Sequence, residues 1–232
     1  MKENYLKILR EIQLNLEWLH IINENKIIKA YTDHFDIEKN DNLETPQVIA
    51  MKTDQQIYIL YADSLSQDLY NKLHTIDKEN FISNPQKISE VLKNNTEIIE
   101  YGHYITYILP KNIKVESKDT RIFLGSNYDE VRKFDGSFYG KFPIIYAIMK
   151  NEEIAACCVS SRENDKAWEW WVFTLPEYRQ QWFGIKAVQL RASELHKKGK
   201  IAFYTHKKSN TASQKLAEKL QSIKIFETIT YE

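Results

Sequence analysis

Residues 176–187 read PEYRQQWFGIKA, between a β-forming run and an apolar helical stripe. A proline-led turn, a cation at Arg179 and the start of a helix together make a place for an anion. The first N–H groups of a helix lack intrahelical partners, and the helix dipole adds positive potential at the same end. Gly184 lets the first helical turn come close to a ligand or to a neighbouring strand. Residue 182 is tryptophan, the bulkiest side chain, where such a cradle normally carries glycine. Just upstream, Glu169 is the one carboxylate in AWEWWVFT (167–174), with Trp168, Trp170 and Trp171 around it. Burial among aromatics raises a carboxylate's pKa, which suits a general base near neutral pH. The alternative is a glutamate that reaches solvent or pairs with a lysine.

These residues need elements to position them. In the second half, PIIYAIMK (143–150) and EIAACCVSS (153–161) read as a hairpin joined by NE, and 167–174 as a third strand. After the loop 175–182 a helix runs from about 183 to 198. Its apolar stripe is Ile185, Val188, Ala192 and Leu195, and Gly199 closes it. IAFYTH (201–206) is a short strand, SNTASQKLAEKL (209–220) a helix capped by Ser209 or Asn210, and KIFETITYE a last strand. In the first half, Leu6, Leu9, Ile12, Leu16 and Leu19 give residues 3–20 a helical period. Strands fit 48–52 and 57–63, helices fit 64–74 and about 85–94, and TEIIEYGHYITYILP (96–110) reads as a hairpin around Gly102. The polar run 111–120 is the boundary candidate, dividing an N-terminal α/β region (1–115) of unassigned role from a second domain (116–232). The fold class is mixed α/β.

Composition narrows the function classes. Lys plus Arg (32) equals Asp plus Glu (32), so no net field draws the chain to nucleic acid or to an anionic membrane. No apolar run approaches the ~20 residues needed to cross a bilayer. The charged N-terminus MKENYLKILREIQ lacks a signal peptide's apolar core, and the expected location is the cytoplasm. Cys157 and Cys158 are adjacent, so on a strand they face opposite sides. They read as buried reduced thiols, without the spacing of a zinc site. His103 and His206 are likewise isolated, and no metal is expected. HKKSN (206–210) is read as a solvated loop that could also attract a phosphate.

Taken together, these stretches resemble the GNAT superfamily of acyl-CoA N-acyltransferases. Arg179-Gln-Gln-Trp182-Phe-Gly184, preceded by PEYR, is similar to the family's motif A (Arg or Gln, two residues, Gly, one residue, Gly or Ala). SNTASQKLAEKL resembles motif B, with Asn210 and Ser213 in the usual places. The resemblance covers roughly residues 120–232. It implies a GNAT-like mixed sheet whose central parallel strands, 167–174 and 201–206, splay apart around the pantetheine arm of acetyl-CoA, preceded by a smaller α/β N-terminal region. It implies that backbone groups of Phe173 and Thr174 pair with the pantetheine amides. The pyrophosphate would lie on the N–H groups of Arg179, Gln180, Gln181, Trp182, Phe183 and Gly184, and Asn210 and Ser213 would lie near the thioester or pantetheine. Glu169 stands four residues before Phe173, where some branches place a glutamate base.

The sequence departs from the family pattern at three positions. Trp182 replaces the first glycine of the signature, Ala217 holds the place of a tyrosine that many members use as a general acid, and Gln221 replaces the glycine of the usual LGF. At Trp182 the Cβ would crowd the loop if the backbone has no room for it, or would point away if φ is ordinarily helical. Two functions are therefore expected. One is an N-acetyltransferase moving acetyl from acetyl-CoA, its co-substrate, to a primary amine of a small molecule or a protein. The alternative is a catalytically impaired GNAT-fold module that binds CoA or regulates. A longer acyl chain is a third possibility.

Overall fold

The structure is a computed structural model describing residues 8, 9, 12, 20–23, 26–29, 46–54, 56–93, 100–111, 120–124 and 144–231. Its strands are β1 (His20–Asn23), β2 (Lys26–Lys29), β3 (Val48–Lys52), β4 (Ile57–Ala62), β5 (Tyr101–Ile108), β6 (Thr120–Leu124), β7 (Ile144–Lys150), β8 (Glu153–Glu163), β9 (Ala167–Thr174), β10 (Ile201–Lys207) and β11 (Ile223–Tyr231). The helices are α1 (Gln67–His74), α2 (Asn80–Ser83), α3 (Pro85–Leu92), α4 (Phe183–Lys197) and α5 (Thr211–Lys219). Among the described residues, the strands join one sheet of 11 in the order β1-β2-β4-β3-β11-β5-β10-β9-β8-β7-β6. Most neighbours are antiparallel. The pair β9/β10 is parallel, and its pairing lasts only from Ile201↔Ala167 to Phe203↔Glu169. Beyond that point the two strands no longer hydrogen-bond to each other, which is the splay the resemblance implies.

The sheet has helices packed on it at two places. Ile185, Val188, Ala192 and Leu195 of α4 are buried against Trp168, Trp170 and Tyr204, as the apolar stripe predicts. Leu69, Leu73, Phe81, Ile88 and Leu92 of α1, α2 and α3 cover Val48, Ala50, Ile229 and Tyr231. A further cluster joins Leu9 to Ile49, Met51, Leu60, Phe203 and Phe226. Cys157 and Cys158 point to different clusters, both are free and fully buried, and burial pushes the thiol of Cys157 up to about 12 and that of Cys158 higher still. Such thiols do not ionise near neutral pH and are no nucleophiles.

Three expectations need correction, and three short elements were not expected. The hairpin around Gly102 is instead one strand, β5, inserted between β11 and β10. Gly102 makes no turn here: a Cβ there would run into the ring of Tyr104. The N-terminal helical period does not extend to residue 20, because His20 already opens β1, while Ile8, Leu9 and Ile12 are helical. Thr120 opens strand β6 rather than closing the polar boundary run, whose residues 112–119 lie outside the described residues. Finally, β1, β2 and the short helix α2 carried too few residues to give a period.

The ends of α4 and α5 are the same motif built from different residues. After α4, Gly199 takes φ +74°, its N–H reaches the carbonyl of His196 (2.9 Å), and the N–H of Lys200 reaches that of Leu195 (3.1 Å). After α5, Gln221 takes φ +53°, its N–H reaches Glu218 (2.9 Å), and the N–H of Ser222 reaches Ala217 (3.0 Å). Both are Schellman closures, and only the second forces an L side chain into the left-handed region. Gln221→Gly is therefore expected to raise the unfolding free energy by about 1 kcal/mol, read by urea denaturation. No gain would mean that contacts of the glutamine offset the backbone strain.

Candidate active site

Where β9 and β10 part, a cleft opens. One part, of about 540 Å³, is lined by Val172 to Pro176, Arg179, Gly184, Ala212 and Leu216. The other, of about 580 Å³, shares Val172, Phe173, Ala212 and Leu216 with the first and adds Trp170, Tyr204, His206, Asn210 and Ser213. The two are continuous along β9. The cleft thus runs from the branch point of the strands to the N-terminus of α4, with the first turns of α5 along one side.

At the α4 end the chain makes a donor-rich loop. Pro176–Tyr178 is a single 3-10 turn, Arg179 is extended, and Gln180 and Trp182 take φ +63° and +70°. Left-handed residues alternating with other conformations curl successive N–H groups towards one concave side, as in anion-binding nests. The first α-helical bond runs from the N–H of Lys186 to the carbonyl of Trp182 (3.1 Å), which leaves the amides of Phe183, Gly184 and Ile185 ahead of the helical ladder. Arg179 donates through Nε to the carbonyl of Thr174 (3.3 Å), and the side chain of Gln181 donates to the carbonyl of Glu177 (2.9 Å). Gly184 is required sterically, since a Cβ would lie 2.8 Å from Oγ1 of Thr174 at the end of β9.

Trp182 follows neither expected course. Its backbone keeps the left-handed conformation suited to glycine, which costs a tryptophan about 1–2 kcal/mol. The indole nevertheless does not line the cleft: it is 55% exposed, with Nζ of Lys219 4.4 Å from its ring centroid. The strain is local, and the cleft stays open beside it.

Along β9, alternation decides which backbone groups face the gap. The N–H of Leu175 bonds the carbonyl of Ala155 on β8 (3.1 Å), and the register pairs Phe173 with Cys157. By the antiparallel alternation the backbone of Phe173 also belongs to β8, whereas Val172 and Thr174 turn theirs towards β10. Thr174 thus turns its backbone to the gap, as does Val172, whereas the backbone of Phe173 is taken up by β8.

Glu169 sits at the apex of the splay, paired with Phe203 in the last register of β9/β10, and is only 6% exposed. It shares a sheet face with the half-exposed Trp171, while Trp168 and Trp170 are core residues on the other face. On that other face Tyr204 stacks on Trp170 (4.8 Å between centroids, 8° between planes). Burial, despite a hydrogen bond with Ser213, pushes the Tyr204 phenol up to about 12. Asn210, not Ser209, caps α5, its Oδ1 accepting from the N–H of Ser213 (3.0 Å). Ala217 is fully buried in the core. His206, isolated in sequence, lines the cleft. Its signal was the alternation 202, 204, 206, which gives it the same face as Tyr204. His103 lies outside the cleft, its Nε2 2.7 Å from Oε1 of Glu227. Among the described residues no group of three metal-ligating side chains occurs, and no helix is long and apolar enough to cross a membrane.

Residues 114–221 match the acetyltransferase (GNAT) family. Among solved structures, an acetyltransferase from the GNAT family of Colwellia psychrerythraea superposes with a TM-score of 0.52 at 12% identity, covering 100% of this chain and 97% of that one. A GNAT-family structure from Novosphingobium aromaticivorans gives 0.49 at 14% identity over 57% of this chain, and the chain spans 65% of that protein. A GCN5-related N-acetyltransferase-like protein from Streptococcus suis gives 0.47 at 14%, covering 81% of this chain and 85% of that one. At these identities the likeness is one of fold. No curated protein sequence matches the chain.

Proposed function

We propose that the chain, whose residues 114–221 match the GNAT acetyltransferase family, is an N-acetyltransferase that moves the acetyl group of acetyl-CoA to a primary amine of a small molecule or a protein. The observation that carries this reading is the single cleft that starts where β9 and β10 part and ends on the amides ahead of the α4 ladder. A long thioester with a pyrophosphate at one end fits that shape and that distribution of donors. Acetyl-CoA, when bound, supplies an acyl carbon with a thiolate leaving group.

The chain's own residues have distinct tasks. Backbone amides of Gln180 to Gly184, with the guanidinium of Arg179, hold the pyrophosphate. Val172 and Thr174 pair with the pantetheine amides across the gap that β10 leaves. Asn210 and Ser213 border the thioester half. Glu169 accepts a proton from the incoming ammonium group and so produces the free amine that attacks. Holding amine and thioester together at the branch point supplies much of the remaining acceleration. Residues 116–232 form the transferase domain in this reading, and residues 1–115 shape the acceptor side, sharing the sheet through β3, β4 and β5. Two buried free cysteines fit a reducing cytoplasmic setting.

Calorimetric titration of the native chain with acetyl-CoA tests the reading, and no detectable binding at millimolar ligand would sink it. Trp182→Gly addresses the alternative of an impaired module. Its affinity is expected to equal that of the native chain, because the indole lies outside the cleft; a large gain would show that the tryptophan obstructs the loop.

A further inference from the structure

His206 has no role in the mechanism above, although its surroundings prepare it for one. It lines the branch-point half of the cleft with Trp170, Tyr204, Asn210 and Ser213, and is 6% exposed. Its Nδ1 lies 2.9 Å from the carbonyl oxygen of Lys207, which can only accept, so Nδ1 carries the proton and Nε2 the lone pair. Nε2 is buried and, among the described residues, has no hydrogen-bond partner. The ring is held by Tyr107 on β5 (5.5 Å between centroids, 19°) and by Tyr204 (5.7 Å, 54°), so it cannot swing to another acceptor without breaking both contacts. A buried lone pair left unmatched costs free energy, and native proteins retain such groups where they serve a ligand or a reaction. Among the side chains lining the cleft, His206 is the one of a type that exchanges protons between pH 5 and 8.

We propose that His206 is a further catalytic residue, whose Nε2 carries a proton from the attacking nitrogen to the departing sulfur. The proposal rests on the acetyltransferase reading. Glu169 first takes one proton from the ammonium group and releases it to water. The free amine then forms the C–N bond at the thioester carbon, leaving a positively charged nitrogen with a proton to lose. Nε2 takes that proton; the C–S bond breaks, its electron pair stays on sulfur, and the proton passes from Nε2 to sulfur. The imidazole ends neutral, as it began, and the products are the amide and the free thiol. Phe203, paired with Glu169, lies three residues before His206, about 10 Å along β10, so base and shuttle flank the branch point from opposite faces.

Two measurements on the full chain test this. In the first, histidine ring resonances are followed by NMR on adding coenzyme A or desulfo-coenzyme A, which lacks the sulfur. The signal absent from His206→Gln is expected to move with the first ligand and to stay with the second; equal movement with both overturns the proposal. In the second, thiol release from acetyl-CoA is measured with hydroxylamine as acceptor, above the uncatalysed rate. His206→Gln and His206→Phe are both expected to lose about 10²-fold in kcat with little change in KM for acetyl-CoA. Phenylalanine keeps the ring stack without Nε2, so full activity in His206→Phe means a packing role and overturns the proposal. A native chain that binds neither coenzyme A nor its desulfo form overturns the acetyltransferase reading and the role of His206 with it. Binding and turnover that survive both substitutions overturn the role of His206 alone.

Discussion

Glu169→Gln is expected to lower kcat by about 10²–10⁴-fold while leaving the affinity for acetyl-CoA unchanged. The substitution preserves shape and removes only the ability to take a proton. Glu169 is buried where the strands part, away from the loop and the backbone groups assigned to the cofactor, so cofactor binding should not register its loss. The defect should be largest at low pH, where nearly all of the acceptor is ammonium and a base must make the nucleophile. It should shrink as pH rises and free amine becomes available from solution. Rates that match the native chain across the pH range would remove Glu169 as the base and leave it a buried structural carboxylate.

The second large effect is on stability. Arg191, on α4, is 3% exposed and donates to Oε2 of Glu163 (2.5 Å) and to the hydroxyl of Ser160 (2.6 Å) on β8. Its guanidinium lies 4.8 Å from the ring centroid of Tyr146 and 5.6 Å from that of Trp168, and Lys200 adds a second cation at Glu163 (2.7 Å). This network ties the helix that begins at the donor-rich loop to the strand beside β9. Arg191→Ala leaves a cavity and takes one cation from a half-buried carboxylate, and should cost about 3–5 kcal/mol of unfolding free energy. Arg191→Met, which fills the volume, should cost less, because Glu163 keeps Lys200. A loss under about 1 kcal/mol in the alanine variant would mean the pair is no stronger than a surface one.

The same network has a pH signature. Burial alone would raise the carboxyl of Glu163, but the hydrogen bond from Lys200 and the charge of Arg191 outweigh it and hold the group below 4.5. A folded value below the unfolded one stabilises at pH above 4.5, and the contribution disappears as pH falls through the folded value. Arg191→Ala should weaken that acid-side loss, visible as a flatter dependence of unfolding midpoint on pH below 4.5.

Much of this protein was legible from residue order alone, because its signals are local. The stripe Ile185, Val188, Ala192 and Leu195 needs only the helical period, and the cap at Gly199 only a residue free to take positive φ. The donor-rich loop is legible because a turn, a cation and a helix start are contiguous in sequence, and Gly184 is a point of close approach, to Thr174. Tertiary structure decided what depends on pairing between distant segments. β5 lies between β10 and β11 because hydrogen-bonding edges far apart in sequence meet there, and no turn signal at Gly102 could report that. The exchange of Val172 for Phe173 at the gap follows from register with β8, which no single strand encodes. Trp182 shows the division most clearly: its identity leaves open whether the Cβ crowds the loop or points away. Only the fold shows a left-handed backbone that carries the indole outward to Lys219, because the direction of a Cβ is set by φ and by what packs around it. His206, isolated in sequence, acquires its surroundings from Tyr107 a hundred residues away and from a helix that follows it, and burial by such neighbours exists only once the chain is folded.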